Sequence, residues 1–294
     1  MSGPDSSRVV LVTGAGKGLG AAFATAFAAT GARLLVNNRH SGPGTSSAET
    51  LAAHLRSHGT TATADTHAVD TPGAAKAIIA AAITAHGRLD TLILNAGITG
   101  PVAKVGALAE ADLRQVVETN FFANTALVTA ALPHLRAGPA GRIVFIASTA
   151  GLHGLKGRSA YAASKGALIG YALSLADELR RDAIGVNILA PYAATPMTAG
   201  APTEADPLMN PAHAAPAAVW LGSPACTTTG EIWIAGAGRF RRAVTLESRG
   251  LGKVDATPDW LAENAAAIAD MVGARSYSGA EKAFADLHAD TRES

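Results

Sequence analysis

The chain has 294 residues, of which 48% are apolar and 16% charged, so it can bury a large core and is too apolar to be a disordered chain. Its formal net charge of +1 gives no electrostatic basis for binding nucleic acid or an anionic membrane. A single cysteine, Cys226, excludes an internal disulfide and fits a reducing cytosol, where we expect the protein to reside. The apolar run at residues 9–12 is too short for a signal peptide or a membrane span, so we expect neither.

Apolar, β-branched runs alternate with alanine-rich stretches along residues 8–238. The runs predict seven strands, over residues 8–13, 32–37, 60–64, 89–94, 141–148, 184–189 and 231–235. The stretches between them predict helices near residues 18–30, 45–58, 72–86, 108–136, 159–181 and 211–222. Several strands are continuously apolar, which is typical of parallel strands buried on both faces. The sequence therefore predicts an α/β fold, with one doubly wound, Rossmann-like parallel sheet and helices on both of its faces.

The rest of the chain follows this pattern less closely. Residues 191–216 are rich in Pro, Ala and Thr, which predicts a flap between a strand and a helix. Residues 258–272 predict one further helix, followed by a polar end. We expect residues 1–238 to form the catalytic domain, and residues 239–294 to be a short C-terminal extension packed on that domain or on a neighbouring subunit.

A glycine-rich loop, VTGAGKGLGAAFA, follows the first predicted strand and opens the first helix. Gly14, Gly18 and Gly20 allow the backbone to turn sharply and to approach a pyrophosphate. The start of the helix then supplies free N–H groups and the positive end of its dipole. The loop predicts nucleotide binding, with a merely flexible connection as the alternative.

Other short motifs follow one another along the predicted sheet. LNAG ends the fourth strand at residues 94–97, and Asn120 follows VVET. Ser148 ends the fifth strand, thirteen positions before Tyr161. The segment from Tyr161 to Lys165 reads YAASK.

This order of motifs resembles that of the short-chain dehydrogenase/reductase family, over about residues 8–238. The resemblance implies an oxidoreductase that acts on CH–OH groups with a nicotinamide cofactor, and a homo-oligomer that is a tetramer or a dimer. It implies as catalytic residues Asn120, Ser148, Tyr161 and Lys165. The expected cofactor site comprises Gly14, Lys17, Gly18, Leu19, Gly20, Asn38, Arg39, Asp65, Thr66, Asn95, Ala96, Gly97, Lys165, Pro191 and Ala193. No metal site is expected.

The pairing of Tyr161 with Lys165 has a chemical rationale of its own. A free tyrosine has a pKa of about 10 and is a poor base at neutral pH. We expect the lysine ammonium to favour the phenolate and so to lower the pKa of Tyr161. Ser148 is expected to donate a hydrogen bond to the substrate oxygen as negative charge develops there. The resemblance implies that Lys165 also reaches the cofactor ribose and that Asn120 holds a water; a structural amide is the alternative for Asn120.

The residues after the second strand bear on the choice of cofactor. An NAD site usually has an acidic residue here that binds the ribose 2′-hydroxyl. This chain has Asn38 and Arg39 instead, and Lys17 adds a second cation in the glycine loop. We therefore expect NADP(H), with NAD(H) as the alternative.

The sixth strand is followed by Tyr192, where many family members have glycine. The pattern P-x-A-x-x-x-M-T from Pro191 resembles the dehydrogenase part of the type 2 peroxisomal multifunctional enzymes, a branch that oxidises 3-hydroxyacyl-CoA thioesters, usually with NAD. A largely apolar substrate pocket is expected from Leu152, His153, Leu155, Tyr192 and Met197, with Lys156 and Arg158 as the basic candidates nearby.

Three functions follow from these observations. The first is an NADP(H)-dependent interconversion of a secondary alcohol and a ketone on a mainly apolar small molecule. The second is an NAD-linked 3-hydroxyacyl-CoA dehydrogenase. The third is a catalytically silent nucleotide-binding protein with a regulatory or scaffold role.

Overall fold

A computed structural model describes residues 8–40, 42–194 and 206–290. In this part of the chain eight strands form one sheet, in the order β3-β2-β1-β4-β5-β6-β7-β8. The first seven strands pair in parallel. Their bounds are β1 Val9–Thr13, β2 Arg33–Asn37, β3 Ala62–Asp65, β4 Thr91–Leu94, β5 Arg142–Ile146, β6 Gly185–Pro191, β7 Ile232–Gly236 and β8 Arg239–Ala243.

The helices α1 to α8 lie between the strands, as the sequence predicted, and α9 and α10 follow the last strand. Their bounds are α1 Gly18–Ala28, α2 Ser47–Ser57, α3 Ala74–His86, α4 Glu110–Val117, α5 Ala123–Ala137, α6 Ala150–His153, α7 Ser159–Glu178, α8 Ala215–Leu221, α9 Pro258–Ile268 and α10 Ala280–Asp290. The single helix expected over residues 108–136 is interrupted, because a π-helical turn at Glu118–Phe122 joins α4 to α5. Neither β8 nor α10 was predicted.

Burial of the central strands confirms the doubly wound sheet. Every residue of β1, β4 and β5 is buried, as expected where helices cover both faces. Phe23 and Phe27 of α1 join Ala218 and Leu221 of α8 in one apolar cluster with the strands, while α3 packs against α5.

Two buried arginines lie at the amino ends of the parallel strands and bind the segment that follows α8. Arg142, at the start of β5, donates from Nε to the carbonyl oxygen of Ser223 (3.0 Å) and from Nη2 to that of Cys226 (2.9 Å). Arg8, just before β1, donates to the carbonyl oxygen of Gly222 (3.1 Å). These bonds fix the end of α8 to the amino ends of the strands. The carboxyl ends of the strands, on the opposite side of the sheet, are free of them.

The strand order reverses between β1 and β4. From β1 the chain runs outward to β3, then crosses back to β4 and continues to the other edge. Ligands of open α/β sheets bind at the carboxyl ends of the strands beside such a reversal.

The chain divides into two compact units, Met1–Arg242 and Ala243–Ser294. The first unit extends past the predicted boundary at residue 238, because β8 adds a strand to the sheet edge. In the second unit, the Asp286 carboxylate accepts hydrogen bonds from the Tyr277 hydroxyl and from Arg275. Whether this extension packs on the domain or on a neighbouring subunit stays a prediction. No described helix has the length and apolar character needed to cross a membrane.

Candidate active site

A cavity of about 890 Å³ opens at the carboxyl ends of β1, β4, β5 and β6. This volume lies within the range of pockets that hold small molecules and cofactors. Most of the predicted site residues line it, namely Gly14, Lys17, Gly18, Leu19, Gly20, Asn38, Arg39, Asn95, Ala96, Gly97, Ser148, His153, Leu155, Tyr161, Lys165, Pro191, Tyr192 and Ala193.

Asp65 and Thr66 are not among the residues that line the cavity, so their predicted contact with the cofactor stays a prediction. Asp65 ends β3 with its carboxylate buried, where Oδ1 accepts from Asn37 Nδ2 at 2.6 Å and Oδ2 lies 2.8 Å from His67 Nδ1. In the loop after β3, Val69 and Asp70 are the residues that line the cavity. Asp70 was not predicted, because nothing in the sequence marks it as a cavity residue.

Two other predicted site residues, Asn120 and Leu152, do not line the cavity. Met197 lies outside the described residues. Lining residues that were not predicted from the sequence are Asn37, Val69, Asp70, Ile98, Thr99, Thr119, Ile146 and Ala147.

The glycine loop is held against the end of β4. Thr13 Oγ1 accepts hydrogen bonds from the backbone N–H groups of Asn95 (3.0 Å) and Ala96 (3.1 Å). In return, Asn95 Nδ2 donates to the carbonyl oxygens of Thr13 (2.9 Å) and Gly14 (3.1 Å). The predicted LNAG motif therefore positions the loop as well as bordering the cavity.

Two glycines of the loop have no room for a side chain. Gly14 has φ +63°, and a Cβ atom on Gly20 would lie 2.2 Å from the Gly14 carbonyl oxygen. The residue that precedes α1, Lys17, makes no side-chain cap, so the first N–H groups of the helix have no side-chain acceptor there. This cradle fits the pyrophosphate of a dinucleotide.

The charge of the cavity also fits an anionic dinucleotide. Its described lining carries four cations, Lys17, Arg39, Arg158 and Lys165, and a single acid, Asp70. Asn38, which stands where NAD sites place an acid, donates from Nδ2 to Ser47 Oγ at 2.7 Å. In the described part of the chain, no group of three or more His, Cys, Asp or Glu side chains is placed to hold a metal ion.

Ser148 and Tyr161 line the same cavity, and the Ser148 hydroxyl acts to lower the pKa of the Tyr161 phenol. Ser148 is positioned by its own turn, because its Oγ accepts from the backbone N–H of Ala150 at 3.1 Å. Burial raises the pKa of the Tyr161 phenol, while the Ser148 hydroxyl and the positive charge of Arg158 act in the opposite direction. The phenol is therefore protonated at neutral pH and ready to donate.

Lys165 is buried next to the ring of Tyr161 at the wall of the cavity. Its Nζ donates to the carbonyl oxygen of Ile146 at 2.7 Å and lies 5.8 Å from the centroid of the Tyr161 ring. Burial lowers the pKa of Lys165 to about 8. The lowering of the Tyr161 pKa by Lys165 stays a prediction, and Arg158 is a second cation whose positive charge lowers this pKa.

The buried side chain of Asn120 connects the loop after β4 to α7 through hydrogen bonds. Its Oδ1 accepts from the N–H of Ile98 (2.7 Å), and its Nδ2 donates to the carbonyl oxygen of Ile98 (2.8 Å) and to Ser164 Oγ (2.9 Å). It lies in the π-helical turn, a distortion that is frequent at functional sites. These contacts favour the structural alternative for its side chain.

Three comparisons place this site among known proteins. A family model described as short chain dehydrogenase matches residues 8–206. The chain is 34% identical to peroxisomal multifunctional enzyme A of Dictyostelium discoideum, covering 89% of this chain and 60% of that enzyme. It is 32% identical to a short-chain type dehydrogenase/reductase of Mycobacterium tuberculosis, covering 91% and 96%.

A solved structure shows the same arrangement of elements. The full-length peroxisomal multifunctional enzyme type 2 of Drosophila melanogaster superposes with a TM-score of 0.82 at 25% identity, covering 97% of this chain and 49% of that one. The chain thus spans about half the length of this multifunctional enzyme.

Proposed function

Since this chain belongs to the short-chain dehydrogenase/reductase family, we propose that it interconverts a secondary alcohol and a ketone on a mainly apolar substrate, with NADP(H) as its cofactor. It is an NAD(P)-dependent oxidoreductase acting on CH–OH groups, close to the dehydrogenase part of the multifunctional enzymes. The observation that carries the proposal is the convergence of Ser148, Tyr161 and Lys165 on one cavity with the glycine loop.

The side chains divide the chemistry between them. The nicotinamide cofactor, when bound, supplies or accepts the hydride. The Ser148 hydroxyl donates a hydrogen bond to the substrate oxygen. Tyr161 donates its phenolic proton to that oxygen during ketone reduction and receives it back during alcohol oxidation. Lys165, in its ammonium form, stabilises the phenolate that Tyr161 becomes after it has donated.

The preference for NADP(H) rests on the charges at the ribose end of the cavity. Arg39 and Lys17 both line the cavity, and Asn38 replaces the carboxylate that would repel a 2′-phosphate. The nearby carboxylate of Asp65 is buried and engaged with Asn37. A guanidinium is well suited to a phosphate, which it can bind through two N–H groups.

A fluorescence titration with NADPH and with NADH tests the cofactor proposal. We expect the unmodified protein to bind NADPH at least ~10-fold more tightly, and Arg39→Asp to lose most of this preference, since one charged contact is worth about 1.5–3 kcal/mol. Arg181→Asp, at an exposed position of the 3-10 turn Leu179–Asp182, is the matched control. Tighter binding of NADH by the unmodified protein would contradict the proposal.

The second candidate is an NAD-linked 3-hydroxyacyl-CoA dehydrogenase. Similarity to proteins named peroxisomal multifunctional enzymes favours it. The pair Asn38–Arg39 argues against its NAD linkage. Oxidation of 3-hydroxyacyl-CoA thioesters with NAD, at rates above those for simple secondary alcohols with NADP, would establish this candidate in place of the first.

The catalytically silent alternative is not supported, because the family and the named dehydrogenase relatives are those of active enzymes. A cytosolic location and a tetrameric or dimeric assembly remain predictions. Light scattering after size-exclusion chromatography measures the assembly.

A further inference from the structure

Arg158 lies immediately before α7, three residues ahead of Tyr161, and lines the same cavity. Its Nη1 donates to the carbonyl oxygen of Gly100 at 2.5 Å, which anchors the guanidinium against the loop after β4. Residues three apart at a helix start are neighbours, with Cβ atoms roughly 5–6 Å apart. The guanidinium is therefore held close to the reacting phenol.

The charge of Arg158 has no acidic partner in the part of the chain that the structure describes. The one acid in the described cavity lining, Asp70, accepts from Thr119 Oγ1 (2.6 Å) and Gln115 Nε2 (3.1 Å) instead. The bond to Gly100 uses one of the five N–H donors of a guanidinium. A partly buried arginine with spare donors and no counter-charge is arranged to receive an anion.

We propose that Arg158 binds a carboxylate of the substrate, so that the substrate is a hydroxy acid in the direction of alcohol oxidation and the matching oxo acid in the other. The CH–OH carbon lies at Ser148 and Tyr161, and the carboxylate lies within a few bonds of it, at the guanidinium. The rest of the substrate lies along apolar side chains such as Leu155 and Tyr192, which line the cavity with exposed faces. This inference rests on the proposed function and specifies its substrate class.

The test compares acids with their neutral esters. The probes are 3-hydroxyoctanoate and 4-hydroxyoctanoate, each beside its methyl ester, with the better cofactor from the titration above. We expect kcat/KM to be at least ~10-fold higher for an acid than for its ester. Arg158→Gln should lower kcat/KM for the acid roughly 10- to 100-fold more than it lowers kcat/KM for the ester, with the additional loss mainly in KM, because the ester shares any effect on Tyr161 but lacks the carboxylate. Arg158→Lys should keep part of the preference, and Arg181→Gln should keep all of it.

Binding of octanoate to the cofactor-loaded protein gives a second measurement, one that does not depend on where the hydroxyl lies. We expect octanoate to bind more tightly than methyl octanoate, and Arg158→Gln to remove this difference. Equal use of acids and esters, an equal loss for both in Arg158→Gln, or no preference for octanoate would overturn the proposal and leave Arg158 as a structural tie to Gly100. NAD(P)H binding by the same preparations reports separately on the proposed function.

Discussion

Tyr161 lines the cavity together with Ser148, and we propose that it exchanges a proton with a substrate oxygen that is hydrogen-bonded to Ser148. We expect Tyr161→Phe to lower kcat by ~10²-fold or more, which is the usual contribution of a positioned acid or base. The change removes one oxygen atom, so the affinity for NADPH should stay the same. Steady-state kinetics and a fluorescence titration on one preparation measure both. Full turnover by the variant would show that the proton comes from elsewhere.

Individual residues show where sequence reasoning succeeded and where it failed. Tyr161 and Lys165 were predicted to share a site because their spacing places both on one helix face, and both line the cavity with Ser148. Asp65 was predicted at the cofactor, whereas in the structure its carboxylate is hydrogen-bonded to Asn37 and Asp70 lines the cavity. The effect of Arg158 on the pKa of Tyr161 was not predicted, because it depends on where the two side chains lie in space.

At the scale of elements, Asn120 joins the π-helical turn to both the loop after β4 and α7. Asn120→Ala removes three hydrogen bonds and leaves the partly buried N–H and carbonyl of Ile98 without this partner. We expect a loss of about 3 kcal/mol in the free energy of unfolding. Urea denaturation measures it, with Thr129→Ala on the exposed face of α5 as the control. If Asn120→Ala lowered the free energy of unfolding no more than Thr129→Ala does, Asn120 would not hold these segments together.

The elements themselves were largely predictable. The seven parallel strands and their helices follow from apolar periodicity, and each appears within a few residues of its predicted bounds. The π-helical turn at Glu118–Phe122 was not predicted from the sequence. The strand β8 was missed because RFRRA is mostly charged, and it is a strand by pairing at the sheet edge.

At the scale of the whole molecule, the buried Lys165 links catalysis to stability. Its pKa is about 8 in the folded protein, against an ordinary lysine pKa of 10.5 for the unfolded chain, so the unfolded chain binds more protons between these pH values. Stability should therefore rise with pH from about 8 to 10.5, and the full penalty of burying the charge, roughly 3 kcal/mol at most, should apply below pH 8.

Replacement of Lys165 separates this effect from the other titrating groups. We expect Lys165→Met to be more stable than the unmodified protein at pH 7, and the advantage to shrink towards about pH 10.5, while activity is lost. Urea denaturation at several pH values gives the difference between the two proteins. A constant difference across this range would mean that burial does not shift the pKa of the lysine.

The sequence by itself determined the class of fold and the family, and it predicted the main catalytic groups, because apolar periodicity and short motifs depend on residues close together in the chain. Only the tertiary structure decided which residues share the cavity. It turned Asp65 inward, brought Val69 and Asp70 to the cavity, held Asn120 between two segments and left Arg158 beside Tyr161 without an acidic partner among the described residues. These outcomes depend on hydrogen bonds and burial between residues far apart in sequence, and no local pattern encodes them.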